Sequence, residues 1–238
     1  METIRFYNPK GEPFDEKAFI DFYSNCYYLT NSKYVEDRIE ALLNADSLSP
    51  EDVMLILRWK LGRIDHKKSQ SMNKIVFRGN ENGSITQTER GKKVNAAKLC
   101  ETIAAKYTDW KNSYDYQSIL MELRDNSPEN IGTVYLLTLL YFITGGELPI
   151  YDRFAMMAAR AIIGDEFRGS RKPGAVIEYK EPPAKKDGGF GSLINSDRSQ
   201  YREYIRILKQ IFGEEYKTDR NIDRALWVYG HCFRDKEY

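Results

Sequence analysis

Residues 127–163 read SPENIGTVYLLTLLYFITGGELPIYDRFAMMAARAII, and the whole architecture hangs on how this stretch is taken. Thr133 to Ile143 carries no charge on any side. Eleven residues are too few to cross a bilayer, so this length and composition specify a helix buried on every face in a protein core. Gly145 and Gly146 end it. Pro149 opens the next helix, which runs through Ile163 with Asp152 and Arg153 in its first turn and Phe154, Met157, Ala158 and Ala161 on one side.

Outward from this stretch, apolar residues keep a three- and four-residue spacing. Helices are expected at Asp15 to Tyr23, Lys33 to Ala45, Pro50 to Leu61, Val94 to Tyr107, Tyr116 to Arg124, Asp197 to Phe212 and Asn221 to Phe233. Ser49-Pro50-Glu51-Asp52 is a helix start, with a serine cap, proline at the first helical position and acids in the first turn; Gly62 closes that helix. KIVFRG and SITQT, around the Asn82-Gly83 turn signal, read as two short strands. The fold class is therefore all-α, mainly helical, with room for one small β-hairpin near residues 74–88. Two parts are expected within one compact unit: a helical part over 1–126 and a second over 127–238. The second includes a Gly/Pro/Lys-rich loop over 164–195, a length that loops keep mainly for function.

The chain has 36 Lys+Arg against 35 Asp+Glu, a net charge of +1 that conceals segregation. Residues 1–57 hold 11 acids and 5 bases, 58–98 hold 3 and 11, and 99–238 hold 21 and 20. The basic segment, with Lys67, Lys68, Lys92 and Lys93 among its cations, has the charge of a phosphate-backbone footprint. A solvated face whose cations are compensated by acids from elsewhere in the fold is the alternative. Trp59 and Lys60 suit stacking plus phosphate contact, or the tryptophan is core.

The longest uncharged run, Asn130 to Gly146, is short and threonine-bearing, so no membrane span is expected. The N-terminus lacks a signal-peptide pattern, and the expected compartment is the cytoplasm. Cys26, Cys100 and Cys232 are odd in number and far apart, and only His66 and His231 accompany them. No disulfide framework, metal site or cofactor is expected.

Pro128-Glu129-Asn130-Ile131-Gly132, the buried helix and Leu148-Pro149-Ile150-Tyr151-Asp152-Arg153 together resemble the helix-hairpin-helix DNA glycosylase superfamily. There, a hairpin ending in Gly-x-Gly opens a helix, and an Asp follows about twenty residues beyond the last glycine; Asp152 lies twenty residues after Gly132. The resemblance covers residues 127–161. It implies a monofunctional, DNA-binding glycosylase: backbone N–H groups at Asn130 and Gly132 hold a phosphate of duplex DNA, and Asp152 is the catalytic carboxylate for N-glycosidic cleavage. Three departures matter. Asn130 replaces the first hairpin glycine, no lysine follows the hairpin for Schiff-base lyase chemistry, and the four-cysteine iron–sulfur loop of some members is missing.

Each residue also has a plainer reading. Asp152 complements a helix dipole, Gly132 is a turn, Arg220, Asp223, Arg224 and Trp227 lock the last helix to the core, His231 packs, and the tyrosines fill space. Two further functions stay open: a non-catalytic nucleic-acid-binding module on the same scaffold, in which Asp152 is capped or paired, and a helical protein-interaction module with an unknown partner.

Overall fold

The computed structural model describes residues 4–78, 84–86, 93–113, 115–129, 131–164, 167–168, 178–179 and 200–232. In chain order these form β1 (Phe6–Tyr7), β2 (Pro13–Phe14), α1 (Glu16–Tyr27), α2 (Lys33–Glu40), α3 (Pro50–Lys60), α4 (His66–Met72), β3 (Ser84–Thr86), β4 (Lys93–Asn95), α5 (Ala97–Lys111), α6 (Tyr116–Asp125), α7 (Thr133–Ile143), α8 (Arg153–Ile163), β5 (Phe167–Arg168), β6 (Glu178–Tyr179), α9 (Gln200–Phe212) and α10 (Arg220–Cys232). The protein is mainly helical, as expected, and among the described residues its strands pair as two-stranded antiparallel ribbons. No helix among the described residues is long and apolar enough to cross a membrane.

The chain forms two compact units, Thr30–Leu148 and Met1–Leu29 with Pro149–Tyr238. The division near 126/127 read from the sequence falls inside the first of these, because α6 and α7 on either side of it pack together. In that unit α7 is the central helix, buried from Leu136 to Ile143 and packed by α3 and α6. Ser49 caps α3 in a capping box with Asp52, behind Pro50 at the first turn, and Gly62 takes a left-handed φ of 65° just past its end.

The discontinuous unit is built on α10, which packs against both α1 and α8. Its core is aromatic: Phe19 and Tyr23 each lie 5.0 Å from the Tyr229 ring, and Phe6 lies 5.0 Å from Phe19. The Tyr23 hydroxyl donates to the Tyr7 carbonyl at 3.1 Å, so β1 is tied to the same cluster.

Several details differ from the sequence reading, among them α4 and the β1–β2 and β5–β6 ribbons, which it does not anticipate. The small hairpin pairs Ser84–Thr86 with Lys93–Asn95, whereas among the described residues of KIVFRG Phe77 alone forms a bridge, to Ile64. The helix expected from Val94 starts at Ala97, because 93–95 is a strand arm and the Asn95 side chain accepts the Ala97 N–H at 3.0 Å. Pro149 precedes α8 instead of opening it: the Tyr201 hydroxyl holds the Pro149 carbonyl at 2.8 Å, and the helix begins after Asp152. Of the loop over 164–195, the described residues show the β5–β6 pairing of Phe167 with Tyr179; the remainder lies outside them, as do Phe233 and the Asn82-Gly83 turn.

Candidate functional site

The basic segment divides by burial. Arg58 faces inward on α3, and its guanidinium carbon sits 4.3 Å from the Phe77 ring centroid. Trp59 Nε1 donates to the buried Glu36 carboxylate at 2.8 Å, which makes this tryptophan an anchor between α3 and α2 and not an outward stacking surface. Lys67 and Lys68 are exposed on α4, and Lys74, Arg78 and Lys98 are exposed as well. Lys68 lies 3.8 Å from Asp65, within its own turn, while among the described residues no ion pair engages Lys67, Lys74, Arg78 or Lys98. A pair at that distance and exposure contributes a few tenths of a kcal/mol at most. Lys92 lies outside the described residues, and Lys93 belongs to β4.

Residues 63–78 form a closed loop of chain. Asp65 N–H donates to Val76 O at 2.8 Å and Arg78 N–H to Arg63 O at 2.9 Å, so the two ends are zipped. Asn73 reverses direction with a left-handed φ of 46°, and the buried Ser69 hydroxyl accepts the Val76 N–H at 2.9 Å. Underneath, α4 is docked on the start of α2. His66 Nδ1 accepts the Ser32 N–H at 3.1 Å, and Gln70 Oε1 accepts the Ser32 hydroxyl at 2.7 Å. Burial pulls the His66 imidazole below its ordinary titration range, assisted by the Arg78 charge and opposed by Glu36 and Asp65.

In the same unit, the connection from α6 to α7 is a tight turn. Ile131 N–H donates to Pro128 O at 2.9 Å, the Ile131 side chain is fully buried, and Arg124 reaches back to the Ile131 carbonyl. Gly132 is the exposed N-cap of α7, with an extended backbone that any residue adopts and only the Tyr135 ring within 3.9 Å of a would-be Cβ. Neither strain nor crowding requires glycine there. What Gly132 does supply is a helix start with no side chain of its own over the first N–H groups of α7. Asn130 lies outside the described residues.

Asp152 belongs to the other unit. It is the N-cap of α8, with Oδ1 accepting the Phe154 N–H at 2.9 Å and its carbonyl accepting from Met156 at 2.9 Å. The helix starts at Arg153, four residues after Pro149, so Asp152 caps it instead of lying in its first turn, and the carboxylate still meets the positive end of the helix. Tyrosines pack beside this segment. Tyr151 donates to Gln200 at 3.1 Å, and its ring stands edge-on to Tyr204, 5.5 Å away. Burial, then the Asp152 charge, pushes the Tyr204 hydroxyl well above the phenol range. On the α10 side, His231 lies between Phe154 at 3.7 Å and Trp227 at 3.9 Å, centroid to centroid, and its Nδ1 is 2.7 Å from the Trp227 carbonyl. Arg220 pairs with Asp223 within α10, whereas the buried Arg224, its guanidinium 5.2 Å from the Tyr28 ring, and Trp227, 5.5 Å from the Tyr27 ring, join the last helix to the end of α1.

Sequence reasoning missed Tyr201, Tyr204 and Gly230. The two tyrosines share one face of α9 by their spacing of three, and Gly230 is a glycine inside an otherwise uninterrupted helical pattern; neither signal says what the residue touches. Among the described residues no three metal-ligating side chains cluster. Comparison with known protein families, with curated proteins and with solved structures finds no match.

Proposed function

We infer that this chain binds DNA and acts as a monofunctional DNA glycosylase of the helix-hairpin-helix kind. The observation that carries the DNA-binding part is the set of exposed cations, Lys67, Lys74, Arg78 and Lys98, that the described carboxylates leave uncompensated. A face neutralised by acids from elsewhere would have the opposite property. Phosphate contacts from these side chains, and from the N–H groups at the Gly132 end of α7, supply affinity without reading sequence.

The catalytic part rests on Asp152 and on the resemblance over residues 127–161. As the C1′–N bond breaks, its electron pair leaves with the base, and the carboxylate stabilises the cation developing at C1′. Water then adds to C1′ and gives up a proton, which passes by way of the carboxylate to the departed base. The cap bond to Phe154 N–H is compatible with this role, since an N–H···O contact orients a carboxylate without removing its charge.

The cap position of Asp152 also favours a second reading, a DNA-binding module without catalysis. Asp152→Asn separates the two, because asparagine caps as well as aspartate but carries no charge. Under the catalytic reading single-turnover base release from damaged duplexes falls by about 10²–10³-fold in this variant while duplex affinity and its salt dependence stay put. A wild-type protein that binds duplexes but releases no base assigns the module reading. Absence of salt-sensitive duplex binding in the wild type sinks both.

A further inference from the structure

Phe77 is an aromatic ring held out among cations. It is 36% exposed, on the segment that carries Lys74 and Arg78, in the loop that also presents Lys67 and Lys68 and the exposed Met72. A single exposed phenylalanine is ordinary by itself. This one is unusual in how firmly it is mounted.

The Phe77 backbone is bridged to Ile64, the flanking bonds Asp65 to Val76 and Arg78 to Arg63 close the ladder on both sides, and Ser69 holds Val76 from within. Behind the ring, Arg58 places its guanidinium 4.3 Å from the centroid. Arg58 is itself buried on α3, the helix with the capping box and the Trp59 anchor, so the cation is supplied by a fixed element. One partner thus already stacks on the ring. A planar group that joins such a stack loses little to the ordering of the protein side. The surrounding charges select what that planar group belongs to, because uncompensated cations attract a polyanion. Among polyanions, nucleic acid offers flat π-faces as well.

We propose that Phe77 is a base-stacking residue, and that its partner is DNA carrying an unpaired nucleotide, with phosphates on Lys67, Lys68, Lys74 and Arg78 and the unpaired base on the Phe77 ring. This rests on the DNA-binding reading and adds to it a preferred substrate form. Stacking takes any base, so the preference is for an unpaired base and not for a sequence.

The test is fluorescence anisotropy with two short duplexes that differ by one bulged 2-aminopurine, at low and moderate salt, on the wild type, Phe77→Ala and Phe77→Trp. The wild type is expected to bind the bulged duplex about tenfold more tightly than the paired one and to quench the 2-aminopurine. Phe77→Ala loses the preference and the quenching but keeps the paired-duplex affinity and its salt dependence; Phe77→Trp retains both signals. Salt-dependent binding with no preference in the wild type, or a preference that survives in Phe77→Ala, overturns the stacking role and leaves the DNA-binding reading standing. No binding of either duplex by the wild type overturns both.

Discussion

A Cβ placed on Gly230 would lie 2.0 Å from the carbonyl oxygen of Phe154. The backbone of α10 therefore runs directly against the first turn of α8, and only a residue without a side chain permits it. This contact seats the segment bearing Asp152, two residues before Phe154, and it brings the Phe154 ring onto His231.

Gly230→Ala should therefore destabilise the protein by about 1–3 kcal/mol, the range for a methyl group forced into packed structure. The obstacle is backbone, which moves only if a helix moves. Urea unfolding followed by far-ultraviolet circular dichroism measures the change. A variant as stable as the wild type would mean that α8 and α10 separate at no cost.

Capping by Asp152 predicts an ordered series. Asp152→Asn keeps a side-chain acceptor for the Phe154 N–H and should leave the melting temperature nearly unchanged. Asp152→Ala removes it and should cost about 1 kcal/mol. Equal melting temperatures for all three proteins would deny the cap any energetic role.

Charge reversal at Lys67 and Lys68 tests the basic loop. If both side chains contact phosphate, the double Glu variant should weaken duplex binding and reduce the slope of log affinity against log salt by about 2. Reversal of Lys17, exposed on α1, serves as the comparison and should change neither. An unaltered slope in the α4 variant would return these lysines to the class of solvated surface charge.

His66 gives the protein a pH dependence of definite sign. Its Nδ1 is already occupied as an acceptor from Ser32 N–H, and burial lowers its titration range in the folded state. The unfolded chain takes up the proton first as pH falls. The stability that neutral His66 contributes is thus present above its ordinary value of 6.5 and is lost as pH drops through the lower, folded-state value. Urea unfolding at pH 7.5 and pH 5.0 should show a loss on acidification that is smaller in His66→Gln. Identical losses in both proteins would remove His66 as the cause.

Local chemistry was legible and long-range contact was not. Ser49, Pro50 and Asp52 announced the start of α3 because every bond involved lies within four residues. The uncharged run over Thr133–Ile143 announced a buried helix by composition alone. The pairing of Ser84–Thr86 with Lys93–Asn95 could not be read that way, since three-residue arms carry no usable periodicity. Pro149 looked like a helix opener and is displaced from that role by a hydroxyl on Tyr201, fifty-two positions away. The candidate site shows the same division. Asp152 was nominated by its spacing from Gly132, whereas the approach of Tyr204 to Tyr151 and of Gly230 to Phe154 is set by packing.

The unit that contains Asp152 is made from two segments that flank Thr30–Leu148 in sequence, and this imposes an order on its biogenesis. Phe19 and Tyr23 find their partner Tyr229 only after about two hundred further residues have been synthesised, on the order of 10–40 s at ordinary elongation rates. Thr30–Leu148 is contiguous and has its central helix α7 in hand well before that. During this interval α1 must wait with its aromatic face unburied. Ribosome-arrested chains ending after residue 148 should accordingly show protease-resistant α3–α7 and a cleavable α1, and protection of α1 in such chains would refute this order.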